Sequence, residues 1–168
     1  YTYSTDFPLS GKVTQYTGGN GNDIETRIYS DGMGRPIHSI RSALDVPGRR
    51  YTKTGMLIYD AVGRVIRKSQ THWAEDDEID VFKKHSKEKH PTITRYDSSG
   101  RVMKVTLPEG FQGENETSIS YTYNDPYEVV ETHSVGRSKR TVKNGRGQVL
   151  YVEDSGTGDD GKHLSAKI

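Results

Sequence analysis

Apolar and polar residues alternate along much of this chain, in short runs that turn-forming residues separate. Residues 24–29 and 118–123 alternate with a period of two, which is typical of a β-strand with one buried face. In the first run the pattern predicts that Ile24, Thr26 and Ile28 share that face. Because similar runs follow one another along the chain, the pattern predicts an all-β fold of antiparallel hairpins.

Residues 73–90 depart from this alternation. Acidic residues occupy positions 75–78, and lysines stand at positions 83, 84, 87 and 89. Acidic residues near the start and basic residues near the end complement the dipole of a helix. The sequence therefore predicts one short helical insertion over residues 73–90, which Pro91 would end.

A turn motif recurs between the predicted strands. Its clearest copies read Tyr-Asp-x-x-Gly-Arg followed by apolar residues, and they span residues 59–66 and 96–103. A looser copy spans residues 29–37, and a degraded copy spans residues 144–150. The short Asp or Asn side chain can accept hydrogen bonds from backbone N–H groups two residues on. Glycine supplies the left-handed backbone that a short hairpin loop needs.

These copies define a set of repeat-turn residues whose role is expected to be structural. Each tyrosine is expected to pack against a cross-strand neighbour, and each arginine to stack on an aromatic ring or pair with a carboxylate. The repeat-turn residues are Tyr29, Asp31, Gly34, Arg35, Tyr59, Asp60, Gly63, Arg64, Tyr96, Asp97, Gly100, Arg101, Asn144 and Gly147.

The composition indicates an ordered chain with a thin core. The 168 residues include only 30% hydrophobic residues but 11 tyrosines, and the formal net charge is +1. Such a composition suits a single sheet that curls around a large volume better than a compact double-layered core. The near-neutral charge gives no long-range attraction to nucleic acid or acidic membranes, and no apolar run is long enough to span a membrane.

Motifs for catalysis or metal binding are incomplete. Residues 156–163 nearly match a phosphate-binding loop, but His163 replaces the required hydroxyl residue. The chain has no cysteine, and its histidines do not stand at metal-ligand spacing. The basic residues 137–140 could meet nucleic acid or an acidic glycan, although a solvated hairpin tip also explains them. We therefore expect no enzyme activity, no cofactor and no metal.

The repeated motif resembles the YD repeats of Rhs-type proteins. Residues 59–64 and 96–101 match the repeat pattern, and residues 29–35 resemble the opening repeat of such a region. Residues 94–102, with the Thr-Leu-Pro-Glu-Gly segment at 106–110, are similar to the B components of bacterial insecticidal toxin complexes. The resemblance extends over most of the chain, from about residue 24 to residue 154.

The resemblance implies that the repeat sheet spirals into a hollow shell that encloses a toxic C-terminal polypeptide. In such proteins a self-cleaving protease motif lies near an Asp-Pro-x-Gly sequence. Here the single Asp-Pro pair, Asp125-Pro126, is followed by Tyr127 and Glu128. Because the glycine is missing, no protease residue is carried over to this chain.

On this interpretation residues 1–168 are a segment of a larger repeat domain, cut from a longer secreted or cell-surface bacterial protein. The expected partners are the rest of the shell, in the same chain or a partner toxin subunit, and the enclosed toxin. We expect no contact with nucleic acid or membrane. An alternative is a surface-exposed YD-repeat module that binds glycans or a partner cell through its repeat tyrosines and arginines.

Overall fold

The structure, a computed structural model, describes most of the chain as β-strands. The described residues are 2–4, 8–15, 23–42, 51–54, 56–74, 90–108, 117–157 and 163–167. Every regular element among them is a strand, and the pairs are antiparallel. The all-β prediction is therefore confirmed. The chain divides into two compact units, residues 1–91 and 92–168.

The first unit contains eight strands. Six of them form an antiparallel sheet in the order β1-β2-β3-β4-β5-β8, while β6 and β7 pair with each other outside that sheet. The strands are β1 (Thr2–Ser4), β2 (Leu9–Gln15), β3 (Ile24–Ser30), β4 (Pro36–Ser42), β5 (Tyr51–Thr54), β6 (Leu57–Tyr59), β7 (Val65–Lys68) and β8 (His72–Ala74).

This arrangement corrects the expected pairing of residues 51–60. The repeat turn predicts one hairpin of residues 51–60 with residues 64–70, but β5 pairs with β4 and β8, whereas β6 pairs with β7. The sequence carries a glycine at position 55, and glycine weakens the interior of a strand. Met56, which follows it, is buried, and its carbonyl accepts a hydrogen bond from the Ser69 N–H at 2.9 Å.

The buried face of the six-stranded sheet is the one opposite to that predicted. Tyr29 and Ile40 are only 3% and 1% exposed, and Tyr51 packs against them. Ile28, on the other face of β3, is 44% exposed. Apolarity alone favoured the isoleucine face, but the large ring of Tyr29 packs against the ring of His38, its cross-strand neighbour.

The predicted helical insertion over residues 73–90 falls mainly on residues 75–89, which lie outside the described residues. At its start, Trp73 belongs to β8 and pairs with Thr52. At its end, His90 is exposed and has a φ of 47°. The first two residues of the predicted insertion are therefore part of a sheet.

The second unit is a meander in which each strand pairs with the next. Among the residues with described side chains, Thr106 is the only buried one in this unit. The polar composition of residues 155–162 predicts a loop, but residues 155–157 continue the strand that begins at Val149. The strands are β9 (Thr92–Tyr96), β10 (Val102–Thr106), β11 (Ser118–Asp125), β12 (Glu128–His133), β13 (Ser138–Lys143), β14 (Val149–Thr157) and β15 (His163–Lys167).

Candidate functional site

The repeat turns share one backbone geometry. In the turn at residues 60–64, the Asp60 N–H donates to the Arg64 carbonyl at 2.9 Å, and the Gly63 N–H donates to the Asp60 carbonyl at 3.0 Å. The same two bonds occur in the turns at residues 31–35, 97–101, 133–137 and 144–148. The fourth residue of each turn is a glycine with φ between 76° and 88°, in the left-handed region that disfavours other residues.

In three of these turns the first residue is an aspartate, and its carboxylate accepts hydrogen bonds from the arginine four residues later. The Asp60 Oδ1 atom accepts from the N–H groups of Val62 and Arg64 at 3.0 and 2.9 Å. Its Oδ2 atom accepts from the Arg64 Nε–H at 2.7 Å. We call this arrangement the Asp–Arg clasp, and it recurs with the same 2.7 Å distance at Asp31–Arg35 and Asp97–Arg101.

The clasp lowers the pKa of each aspartate. For Asp31 and Asp60, the largest single influence is partial desolvation, which raises the pKa. It is outweighed by the combined hydrogen bonds and charge of the clasp arginine and the bond from the N–H two residues on. For Asp97, the Arg101 side-chain hydrogen bond is the largest influence, and it lowers the pKa directly. The carboxylates are thus held in the charged form that the clasp requires.

A tyrosine from a later strand completes two of the clasps. The Arg35 guanidinium lies 4.3 Å from the centroid of the Tyr59 ring, and the Tyr59 hydroxyl donates to the Pro36 carbonyl at 2.8 Å. The Arg101 guanidinium lies 4.4 Å from the Tyr123 ring. The Tyr123 hydroxyl likewise donates to the Val102 carbonyl, at 2.9 Å. We call Tyr59 and Tyr123 the capping tyrosines.

The capping tyrosines connect one repeat to a later one. Tyr59 is also the first residue of its own repeat motif, so the clasp at residues 31–35 is tied to the turn at residues 60–64. Tyr123 was not among the repeat-turn residues named from sequence. The dipeptide Tyr123-Asn124 resembles Tyr59-Asp60, and this signal could have identified it.

Of the other two repeat tyrosines, one lies in a core and one ends a strand. Tyr29 lies in the core of the first unit, with its ring centroid 4.8 Å from that of His38. Tyr96 ends β9 and is the cross-strand partner of Val102. The looser motif copy has a serine between Tyr29 and Asp31, which places this tyrosine on the opposite face of its strand.

A β-bulge follows each of the four repeat turns that begin with Asp31, Asp60, Asp97 and Asn144. In the β6–β7 hairpin, Tyr59 pairs with Val65 and Ile58 pairs with Arg67, which leaves Ile66 as the extra residue. The corresponding extra residues in the other three hairpins are Ile37, Met103 and Leu150. Such bulges increase the local twist of a strand pair, so each of these turns imposes the same local change on the sheet.

The turn at residues 144–148 contains an uncharged version of the clasp. The Asn144 Oδ1 atom accepts from the N–H groups of Arg146 and Gln148 at 2.9 and 3.0 Å. The Asn144 Nδ2 atom donates to the Gln148 Oε1 atom at 2.9 Å. An amide pair thus occupies the place of the carboxylate and guanidinium, and Gly147 provides the left-handed residue.

The turn at residues 133–137 was missed by the sequence analysis. The His133 N–H donates to the Arg137 carbonyl at 2.8 Å, and Gly136 has a φ of 85°. Its first residue is a histidine, and its two strands pair without a register shift. The Gly136-Arg137 dipeptide was the available signal, but Arg137 was interpreted as part of the basic cluster at residues 137–140.

The arginines of that basic cluster contact carboxylates. The Arg140 guanidinium lies 2.6 Å from a Glu128 oxygen and 3.6 Å from a Glu153 oxygen. The Arg137 guanidinium lies 3.4 Å from Asp154. The hydrogen bond from Arg140, followed by that from Asn124, lowers the pKa of Glu128. The local positive charge of the cluster is thus largely balanced within the second unit.

The remaining sequence candidates lie in a tight turn and on the paired strands β14 and β15, where Thr157 pairs with His163. Asp125 accepts from the Tyr127 N–H at 2.6 Å in a tight turn between β11 and β12. Gly156 and Thr157 belong to β14, and His163 begins β15. Throughout the described ranges, no cluster of three or more His, Asp or Glu side chains could hold a metal ion. Those ranges also contain no helix that is long and apolar enough to cross a membrane.

Comparison with solved structures identifies the fold. The chain is similar to the crystal structure of TcdB2–TccC3, with a TM-score of 0.72 and 17% identity over 98% of this chain. This chain has the fold of a segment of TcdB2–TccC3. The crystal structures of TcdB2–TccC3–TEV and of TcdB2–TccC3 without its hypervariable C-terminal region match over 95% of this chain, with TM-scores of 0.66 and 0.70 and 17% identity.

The match confirms the resemblance to Rhs-type toxin-complex proteins at the level of the fold. The chain spans only about a tenth of the TcdB2–TccC3 chains that it matches. No protein-family model matches the sequence, and no curated protein matches it. At 17% identity the likeness establishes the architecture, and the function is a matter of proposal.

Proposed function

We propose that this chain is a non-enzymatic wall segment of a YD-repeat shell that encloses a toxic polypeptide. The observation that carries the proposal is the coupling between repeats. Arg35 is held by its own Asp31 and by the ring of Tyr59 in a later repeat. Such coupling between neighbouring repeats allows a sheet to grow as a wall without a large central core.

The thinness of the packing supports this proposal. In the described part of the chain, only Tyr29, Ile40 and Met56 are buried hydrophobic residues. Each sheet is instead stabilised by strand pairing, clasps and cross-strand contacts. A wall needs this kind of stability, because one of its faces must border an enclosed space rather than a second layer of protein.

The comparisons support a larger assembly of which this chain would be one part. The matched structures are about ten times longer than the aligned segment. One of them is TcdB2–TccC3 without its hypervariable C-terminal region, and a variable polypeptide inside a constant wall fits containment. The partners would be the rest of the shell and the enclosed toxin, in a secreted bacterial toxin component.

Electron microscopy of the full-length polypeptide that contains this chain tests the proposal. We expect a closed, hollow particle with density inside it. An open or extended particle would contradict the proposal. It would favour a surface-exposed binding module, for which the next experiment is a glycan-binding screen with the repeat tyrosines and arginines as the first substitutions.

Protection from an added protease provides a second test on the same full-length protein. The enclosed C-terminal polypeptide should survive in the wild type and in Gly32→Val, because a Cβ atom at Gly32 meets nothing within 4 Å. It should be cleaved in Gly63→Val, because Gly63 has a φ of 88° and a Cβ atom there would lie 3.0 Å from the Arg35 guanidinium. Equal cleavage of the C-terminal polypeptide in all three proteins would contradict containment by this wall.

A further inference from the structure

His38 is a buried ionisable residue that the clasps do not use. It lies in β4 of the six-stranded sheet and is 3% exposed. Its ring is stacked against the Tyr29 ring, with centroids 4.8 Å apart and planes inclined at 31°. Adjacent to it on the same face, Ile40 is 1% exposed. The imidazole is thus part of the small core of the first unit.

Positively charged groups share this face of the sheet. Lys53 in β5 is 1% exposed and pairs across the strands with Ile40 on one side and His72 on the other. On the other side of His38, the Arg27 guanidinium lies 5.9 Å from the Tyr29 ring centroid. One strand further on, Lys12 and Glu25 form an ion pair at 2.8 Å. The titratable and charged groups of the described face are therefore Lys12, Glu25, Arg27, Tyr29, Tyr51, Lys53 and His72.

We propose that His38 makes the six-stranded sheet of the first unit acid-sensitive, so that protonation of its imidazole loosens the packing of β3, β4 and β5. A second positive charge beside Lys53 would have to enter a nearly dry core. The imidazolium would gain hydration only by leaving that core, which requires local opening of the strands around it. This acid sensitivity does not depend on the proposed function, because it follows from the burial of His38.

The pH range of the effect follows from the titration of His38. Burial, followed by the charges of Lys53 and His72, lowers its pKa from 6.5 to about 4. Above pH 6.5 the imidazole is neutral in the closed and open sheet alike, and the sheet has its full stability. As the pH falls from 6.5 towards 4, only the opened form binds the proton, so the open state gains population. From pH 7.5 to pH 5.0 the opening equilibrium should rise about 30-fold.

The second unit provides an internal reference. The histidine of this unit with a described side chain, His133, lies at a turn and is only partly buried. The Asp97–Arg101 clasp has an aspartate pKa below 3.8, so it stays charged throughout this range. We therefore expect the β11–β13 region to keep the same opening equilibrium at both pH values.

Hydrogen exchange of the full-length polypeptide, measured by mass spectrometry at pH 7.5 and pH 5.0, tests this inference. After correction for the intrinsic exchange rates, peptides from residues 24–42 should show an increase in opening of about 30-fold at pH 5.0. Peptides from residues 118–143 should show no such change. Equal behaviour of the two sets of peptides in the wild type would overturn the proposal.

Two substitutions separate His38 from the other groups of this face. His38→Phe retains a flat ring against Tyr29, and His38→Gln retains polarity; neither side chain titrates in this range. Each should reduce the pH-dependent change in residues 24–42 to less than about threefold, whereas the control His133→Gln should retain it in full. If the dependence persists in a folded His38 variant, another group causes it and the proposal is wrong. The comparison of the two sets of peptides in the wild type needs no variant, so it tests the proposal even if a variant fails to fold.

Discussion

At the scale of single residues, the side chain of a clasp arginine can contact two different groups at once. The Arg101 Nε–H donates to Asp97, while its guanidinium plane covers the Tyr123 ring. A planar, delocalised cation can do both at once, whereas lysine offers a point charge with no plane to stack. The hydroxyl of the same tyrosine then reaches the carbonyl of the residue after the arginine. The tyrosine, arginine and aspartate therefore act as a unit.

Removing the hydroxyl of a capping tyrosine should weaken this unit measurably. Tyr59→Phe and Tyr123→Phe each retain the ring but lose the bond to a backbone carbonyl. Each should lower the local free energy of unfolding by about 1 kcal/mol, measured by hydrogen exchange of the full-length protein. Tyr3→Phe is the control, since Tyr3 is 80% exposed. An equal effect of all three substitutions would show that the carbonyl bond is unimportant.

Protonation of the clasp aspartates should break the Asp–Arg clasps, but only at low pH. Because the folded pKa of Asp97 is lowered, its contribution to stability is complete above about pH 3.8 and is lost as the pH falls further. The uncharged pair Asn144–Gln148 has no group that titrates in this range. Between pH 5 and pH 2.5, exchange at residues 97–101 should therefore accelerate relative to residues 144–148. Asp97→Asn should abolish that difference.

The turn positions could be predicted from sequence because their chemistry is local. An aspartate that accepts from the next turn residues, and a glycine with positive φ, lie within five consecutive residues. The partnership of Arg101 with Tyr123 could not be predicted, because it depends on how β10 pairs with β11. The same limit applies to the face of β3. The cross-strand partner of Tyr29, which the sequence does not specify, determines which face is buried.

At the scale of elements, the geometry of each hairpin depends on one left-handed glycine. Gly34 has a φ of 76°, and a Cβ atom there would meet nothing within 4 Å. Its requirement for glycine is therefore purely one of backbone conformation. Gly32, two residues earlier in the same turn, also has open space around it and has no positive φ.

Substitutions of Gly34 and Gly32 distinguish the effect of backbone strain from that of steric crowding. Gly34→Ala should destabilise the β3–β4 hairpin by about 1–2 kcal/mol, because alanine is strained at positive φ. Gly32→Ala should change it by less than about 0.5 kcal/mol. Thermal unfolding and local hydrogen exchange of the full-length protein would measure both effects. Similar losses for the two variants would mean that the turn tolerates no side chain anywhere, whatever the φ.

Two features of the fold were not predicted from the sequence, and each has a physical reason. The turn at residues 133–137 has the shared backbone hydrogen bonds, but it begins with a histidine and so lacks the Asp or Asn that marks the motif in the sequence. The split between β5 and β6 depends on which strands are adjacent in space. Hydrophobic periodicity identifies a strand and its two faces, but it does not specify the neighbour with which that strand pairs.

At the scale of the whole molecule, the scarcity of buried apolar side chains should limit independent stability. The second unit contains no buried hydrophobic residue among those with described side chains. Repeats that mainly contact their neighbours owe part of their stability to each neighbouring repeat. The all-β class was predictable at this scale from alternation and composition. The division into two units was not predicted, although it falls at Pro91, where the predicted insertion ends.

An isolated chain of these 168 residues should therefore be marginally stable. We expect its urea unfolding to be broad and to occur at lower denaturant than the loss of the same strands within the full-length protein. Circular dichroism of the isolated chain and hydrogen exchange of the longer protein would provide the comparison. A sharp, cooperative transition of the isolated chain at high temperature would contradict this expectation.

The bulges after the Asp and Asn turns have a practical consequence for protein engineering. In the second unit, successive connections lie at alternate ends of the strands, so residues 97–101 and residues 133–137 are at opposite ends. Adding or deleting one residue at the bulge of Met103 would turn every later side chain of β10 to the other face. The turn at residues 133–137 has no such bulge, because β12 and β13 pair without a register shift. An epitope tag, a dye-labelling cysteine or a protease site belongs there, and the clasp end should be left untouched.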